Sequence, residues 1–282
     1  MKHKERLLTA INHEEPDRVP LCAWYTPEAE KRLLRHLGVD STETETYKSA
    51  GGPLPILMDH DFLISWMGPC TGYYANSARL YKDEWGIGWK WIEHVSSGAF
   101  TEIAEHPLAN INDPAEFTMP DFSNEDRYDG VRKLIAEHGQ EYGIMGGLAC
   151  TLFELAWYLR GMETVLADLV SNKDFAHAYL DKLMGWIRTA GRKFAELGVD
   201  IIWIGDDFGT QNRMLLSPKI FREFFKPRYA ALFAEWKSIN PQVKIAFHTD
   251  GYVIPIIPDF IEIGLDILNP IQPKSMDPAR IK

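Results

Sequence analysis

The residues best suited to chemistry stand at the ends of apolar runs. Val243 to Phe247 is short, apolar and partly β-branched, which reads as a buried strand, and His248, Thr249, Asp250 and Gly251 follow at once. Side chains two apart on an extended backbone point the same way, so His248 and Asp250 are expected to project together, with Gly251 permitting the turn away. Imidazole and carboxylate are both competent zinc ligands; the pair also suits acid–base work. The plainer reading is a histidine held by one hydrogen bond ahead of an ordinary Asp-Gly turn.

A second run, Ile201-Ile202-Trp203-Ile204, leads into Gly205-Asp206-Asp207-Phe208-Gly209-Thr210-Gln211. Two adjacent carboxylates repel unless a cation or donor lies close. One of Asp206 and Asp207 is therefore expected to face a pocket while the other caps a turn; the alternative is a solvated Asp-Asp loop. Thr210 and Gln211 are candidate substrate hydrogen-bonders. Glu154 lies at a third junction, past the strand ending at Leu148, where it joins the site or merely complements a helix dipole. Cys150 shares that junction and reads as an inert thiol. Trp24 and Tyr25 can wall a pocket for a flat or methylated ligand, and Asn269 and Gln272 can line the same mouth. No phosphate-binding or dinucleotide fingerprint occurs.

The elements that must position these groups alternate. Lys4 to Asn12 predicts a helix and Val19 to Tyr25 a first strand; Thr26 caps a helix with Pro27 at its first position that stops at Gly38. Ser41 to Pro55 reads as loop and Ile56 to Ser65 as a second strand. Residues of about 71–105 form short alternating runs split by turns, an inserted antiparallel meander in which Asp83-Glu84-Trp85-Gly86 makes a turn. Helices are expected over Glu125 to Glu141, Leu152 to Leu159 and Lys173 to Leu197. Another runs from Pro218 to Trp236, bent at Pro227, and a last from Ile254 to Ile263. Strands at Tyr142 to Leu148, Ile201 to Ile204, Val243 to Phe247 and Asp266 to Asn269 alternate with them. This order implies a parallel sheet with helical crossovers. About six strands can be counted where a closed barrel has eight, so the sequence predicts a single α/β domain over 1–282 of TIM (β/α)8 type. It would lack the last one or two units and be open, truncated or covered by a partner.

The 282 residues are 45% hydrophobic, with formal net charge -10 and a pI near 5.4. No basic block stands out, which argues against nucleic acid or an anionic membrane as partner. Cys22, Cys70 and Cys150 are widely spaced and read as reduced thiols of a cytoplasmic protein. No apolar run suits a signal peptide or membrane span.

Together these pieces resemble the uroporphyrinogen decarboxylase superfamily. The likeness is carried by Arg6-Leu7-Leu8, Asn12-His13-Glu14-Glu15-Pro16-Asp17-Arg18-Val19-Pro20, Asp83-Glu84-Trp85-Gly86, Gly205 to Gln211 with Ser217-Pro218, His248-Thr249-Asp250-Gly251 and Ile261 to Pro270. The resemblance implies a (β/α)8 barrel with its site at the carboxyl ends of the strands. The true decarboxylases carry an Arg-Gln-Ala-Gly-Arg clamp after the first strand; here that place reads Trp24-Tyr25-Thr26-Pro27-Glu28, which cannot grip a polyanionic tetrapyrrole. The family's zinc methyltransferases use a His-x-Cys pair, and Asp250 stands where that cysteine would be. Oxygen for sulfur makes a harder site, suited to an ether, alcohol or amine.

The resemblance therefore points to the branch that moves a methyl group from a small methoxylated or methylated compound to a corrinoid protein. His248, Asp250 and Glu154 would be zinc ligands, with Asp206, Asp207, His248 and Asp250 catalytic and Trp24, Tyr25, Gln211, Asn269 and Gln272 on the substrate. A homodimer is compatible with the family. The alternatives are a decarboxylase of another carboxylated substrate and a truncated, non-catalytic barrel subunit.

Overall fold

The structure is a computed structural model that describes residues 1–39, 53–72, 79–94 and 98–281. Its elements in chain order are α1 (His3–Ile11), α2 (Pro27–His36), α3 (Pro53–Leu57), β1 (Phe62–Trp66), β2 (Leu80–Lys82), β3 (Gly88–His94) and β4 (Gly98–Glu105). Then come α4 (Asp129–His138), β5 (Gly143–Ala149), α5 (Phe153–Arg160), α6 (Met162–Ser171), α7 (Lys173–Leu197) and β6 (Ile201–Gly205). The last are α8 (Pro218–Ile220), α9 (Lys226–Ile239), β7 (Lys244–His248), α10 (Ile257–Glu262), β8 (Ile267–Asn269) and α11 (Pro278–Ile281). The expected loop at Ser41 to Pro55 falls mostly outside the described residues.

Five strands form one parallel sheet in the order β1-β5-β6-β7-β8, and β2-β3-β4 form the separate antiparallel meander. This is the wall of a TIM-type barrel with the meander inserted between its first two described strands. Alternation sets the two faces. Met145, Ile201, Trp203 and Ala246 pack with Leu7 on the inner side. Ile144, Leu148, Ile202, Ile204, Ile245 and Phe247 join the helices in the main core.

β5 is narrow. A Cβ at Gly143 would lie 2.4 Å from Leu7, at Gly146 2.3 Å from the Phe194 ring, and at Gly147 2.3 Å from the Trp66 ring. The absent side chains are what admit these three neighbours. The helix expected from Pro218 to Trp236 does bend: a π-helical turn, Phe221–Phe225, separates α8 from α9. Pro227 has no N–H to give the preceding turn, and the wider turn buries Phe221, Phe224 and Phe225.

The expected strand from Val19 to Tyr25 is not one. Asp61 N–H bonds the Leu21 carbonyl at 2.9 Å, but the Leu21 N–H goes to the Asp61 carboxylate at 2.6 Å. With that donor diverted and Pro20 supplying none, no ladder propagates. Asp61 is fully buried and also takes Arg6 and Arg18 at 2.7 Å each and His3 at 3.0 Å. The His13 to Pro20 stretch is thereby tied beneath β1. This gives the shared opening motif a structural reading.

Candidate metal centre at the carboxyl ends of the parallel strands

His248 is the last residue of β7, level with Gly205 on β6 and Asn269 on β8. Gly205 is needed there, because an added Cβ would sit 2.7 Å from the His248 Cβ. The His248 Nδ1–H donates to Asn269 Oδ1 at 2.8 Å. In the neutral ring, a proton held on Nδ1 leaves the lone pair on Nε2. Nε2 faces Asp207 Oδ1 at 3.8 Å and Asp250 Oδ1 at 3.9 Å. One ligand atom from each of Asp207, His248 and Asp250 lies within 4.8 Å of the other two.

These groups are held in turn. Asp207 Oδ1 accepts the Asp250 N–H at 2.8 Å. Asp250 Oδ1 accepts from Gln272 Nε2 at 3.0 Å, and Gln272 Oε1 accepts the Gly251 N–H at 2.7 Å.

The imidazole and Asp207 open onto a cavity of about 200 Å³ walled by Trp24, Trp66 and Trp203, with Glu154, Cys70 and Cys150 on its floor. Trp24 meets Trp66 and Trp203 edge-on at 5.4 and 5.0 Å. No lysine or arginine lines it among the described residues. Burial raises the Asp207 pKa above the usual carboxylate range, with the Asp250 N–H and His248 pulling the other way. Glu154 is pushed well above its ordinary value by burial first, then by the charges of Asp207 and Asp206. Burial also lifts the Cys70 thiol to about 12 and Cys150 well above its usual value, so both are inert protonated thiols at neutral pH. An oxygen from each of Asp207 and Asp250 and the Nε2 of His248, at the edge of a cavity lined by no lysine or arginine among the described residues, form a donor set for a divalent ion such as zinc.

Several expected site residues stand elsewhere. Asp206 is fully buried and faces away from the cavity. Its carboxylate accepts Thr151 Oγ1 at 2.6 Å and the Leu152 and Glu154 N–H groups at 3.0 and 2.8 Å, and also the Tyr229 hydroxyl. It closes the start of α5. Glu154 lines the cavity, with Tyr158 donating to it at 3.1 Å, but Asp207 takes the third place in the ligand group. Tyr25 turns to His60, with its hydroxyl 3.2 Å from Nε2, and Gln211 is exposed with its Oε1 near Ser275. Neither lines the cavity.

Trp24 does line it, and Trp24 and Asn269 together line a larger adjoining cavity of about 570 Å³; Asn269 and Gln272 also bond the candidate ligands His248 and Asp250. Sequence reasoning missed Trp66 and Trp203 as walls. The signal was there in the period of two: Trp66 shares a face with Phe62 and Ile64, and Trp203 with Ile201. Gly147 pairs with both tryptophans in the ladder.

A fold and a site of this kind define a class. A family model described as uroporphyrinogen decarboxylase (URO-D) matches residues 92–279, well over half of the chain, and the chain belongs to that family. Among solved structures, a methyltransferase from Methanosarcina mazei superposes with a TM-score of 0.66 at 19% identity, covering 95% of this chain and 75% of that one. At that identity the likeness speaks for the fold. No curated protein matches the chain in sequence. No described helix is long and apolar enough to cross a membrane.

Proposed function

We propose that this protein is a methyltransferase that moves a methyl group from a small methoxylated or methylated compound to a corrinoid protein, with zinc held by Asp207, His248 and Asp250. The observation that carries the reading is the convergence of these three ligand atoms at the strand ends, with the His248 Nε2 lone pair facing the two carboxylates. The family and the methyltransferase fold neighbour support it. Bound there, the metal supplies a Lewis acid for the oxygen or nitrogen that bears the methyl group.

The chain's own residues do the rest. Trp24, Trp66 and Trp203 enclose the apolar part of the donor and exclude water. Glu154, whose pKa burial pushes well above the ordinary carboxylate value, can give its proton to the departing heteroatom. A carboxylated substrate finds no lysine or arginine in the cavity lining among the described residues, which disfavours decarboxylation.

The test pairs metal analysis with turnover. Purified protein is expected to hold zinc and His248→Ala to lose it. Zinc-loaded protein should convert the reduced corrinoid of a partner protein to its methylated form, read by absorbance, with one member of a panel of methyl ethers and methylamines. Absence of bound zinc and of methyl transfer across the panel sinks the reading. Carbon dioxide release from a carboxylated compound would move it to the lyase alternative.

A further inference from the structure

The loop that follows β8 reaches back to two of the three candidate ligands. Asn269 and Gln272 lie three residues apart in sequence; neither lines the cavity of about 200 Å³ beside His248, and Asn269 borders instead the larger adjoining cavity of about 570 Å³ that shares Trp24 and Trp203. Asn269 stands in register with His248, and its Oδ1 accepts the Nδ1–H at 2.8 Å. Only the oxygen of that amide can accept, so this orientation makes Nε2 the lone-pair nitrogen. The reversed amide would put a donor against Nδ1 and drive the proton to Nε2, where it would block a metal. Gln272 is fixed without ambiguity. Its Oε1 is committed to the Gly251 N–H at 2.7 Å, so its N–H must point to Asp250 Oδ1 at 3.0 Å. That Oδ1 is also the oxygen that faces His248 Nε2 at 3.9 Å, so a neutral donor on it fixes its place in the centre without neutralising the charge.

Resting on the metal reading above, we infer that Asn269 and Gln272 are positioning residues of the metal centre rather than substrate contacts: Asn269 sets the His248 tautomer and Gln272 the Asp250 orientation. Groups that hold metal ligands from behind change affinity by about 10- to 100-fold when removed. The same geometry couples the loop to the ion, because a metal that draws on His248 and Asp250 tightens both bonds to residues 269–272.

The experiment measures zinc affinity by competition with a chromophoric chelator, and the absorption of the cobalt(II)-substituted protein. Variants are Asn269→Leu, Asn269→Asp, Gln272→Leu and Gln272→Glu. Both leucine variants are expected to bind zinc about 10- to 100-fold more weakly. Asn269→Asp, which still accepts from Nδ1–H, should keep or exceed the parent affinity and its cobalt spectrum. Gln272→Glu, which loses the donor and sets two carboxylates together, should weaken binding as Gln272→Leu does. Zinc should also slow amide hydrogen exchange at residues 269–276 in the parent protein.

If a leucine variant does not fold, its acidic counterpart carries the test: Asn269→Asp that loses zinc, or Gln272→Glu that keeps it, overturns the assignment. Unchanged affinity in both leucine variants overturns it while leaving the metal reading intact. A parent protein that binds no zinc overturns both.

Discussion

Replacing Asp206 by alanine distinguishes a group that builds the site from one that reacts in it. The carboxylate is fully buried, and four donors converge on it from two parts of the chain. Removing it affects them unequally. Thr151 keeps a second partner, the Gly205 carbonyl at 3.2 Å, and the Tyr229 hydroxyl can rotate. The Leu152 and Glu154 amides are fixed at the start of α5 and cannot turn away. A hydrogen bond to a charged group contributes about 1.5–3 kcal/mol, so the two stranded amides alone set an expected loss of about 3–6 kcal/mol. That is a large part of a typical domain stability of about 5–15 kcal/mol. Urea denaturation of metal-free protein should show the midpoint falling without a change in slope. Asp206→Asn, which keeps one acceptor, should fall between. A loss below about 1 kcal/mol, with methyl transfer abolished, would refute this reasoning and return Asp206 to the reacting groups.

Three further outcomes are expected. Burial works to raise the Asp61 pKa, but the Leu21 N–H, Arg6, His3 and Arg18 outweigh it and hold it below the usual carboxylate range. A depressed acid contributes stability above its unfolded pKa and loses it as pH falls through the folded one. Proteolysis of residues 1–21 should therefore rise below about pH 4, and at neutral pH in Asp61→Asn. Gly191→Ala gains about 1 kcal/mol of helix propensity, but its Cβ would lie 2.2 Å from the Trp236 indole; overpacking at about 1–3 kcal/mol wins, and thermal unfolding should shift down. Glu154, raised well above its ordinary value, is protonated below its folded pKa, so a proton it donates is lost as pH rises. Glu154→Gln should lower turnover and remove that alkaline limb; an unchanged pH profile would exclude the role.

Four of the five parallel strands were legible because each is a short apolar run that stops abruptly, whereas the strand expected from Ile56 to Ser65 starts in the helix Pro53–Leu57 and becomes extended only over Phe62–Trp66; His248 and Asp250 were legible because spacing of two at a strand end fixes a common side. The antiparallel insertion showed in its alternation. Three things were hidden. The segment from Val19 to Tyr25 has strand composition, but a buried carboxylate forty residues away takes its amide. Asp206 and Asp207 are the same residue type side by side, and only the fold decides that one faces Thr151 and Tyr229 and the other His248. The bonds of Asn269 to His248 and of Gln272 to Asp250 and Gly251 were hidden because an amide advertises hydrogen bonding without naming the partner.

The bare stretch of β5 carries a last consequence. Leu7, Phe194 and Trp66 come from α1, α7 and β1, and each fills space that a side chain on Gly143, Gly146 or Gly147 would need. Volume along this strand is thus shared property, and no single position owns it. In a library of variants, bulk admitted at 147 should survive only where residue 66 shrinks, and likewise for 146 with 194 and 143 with 7. Because Trp66 also borders the cavity beside His248, exchanging volume between 147 and 66 offers a way to resize that cavity from behind the wall.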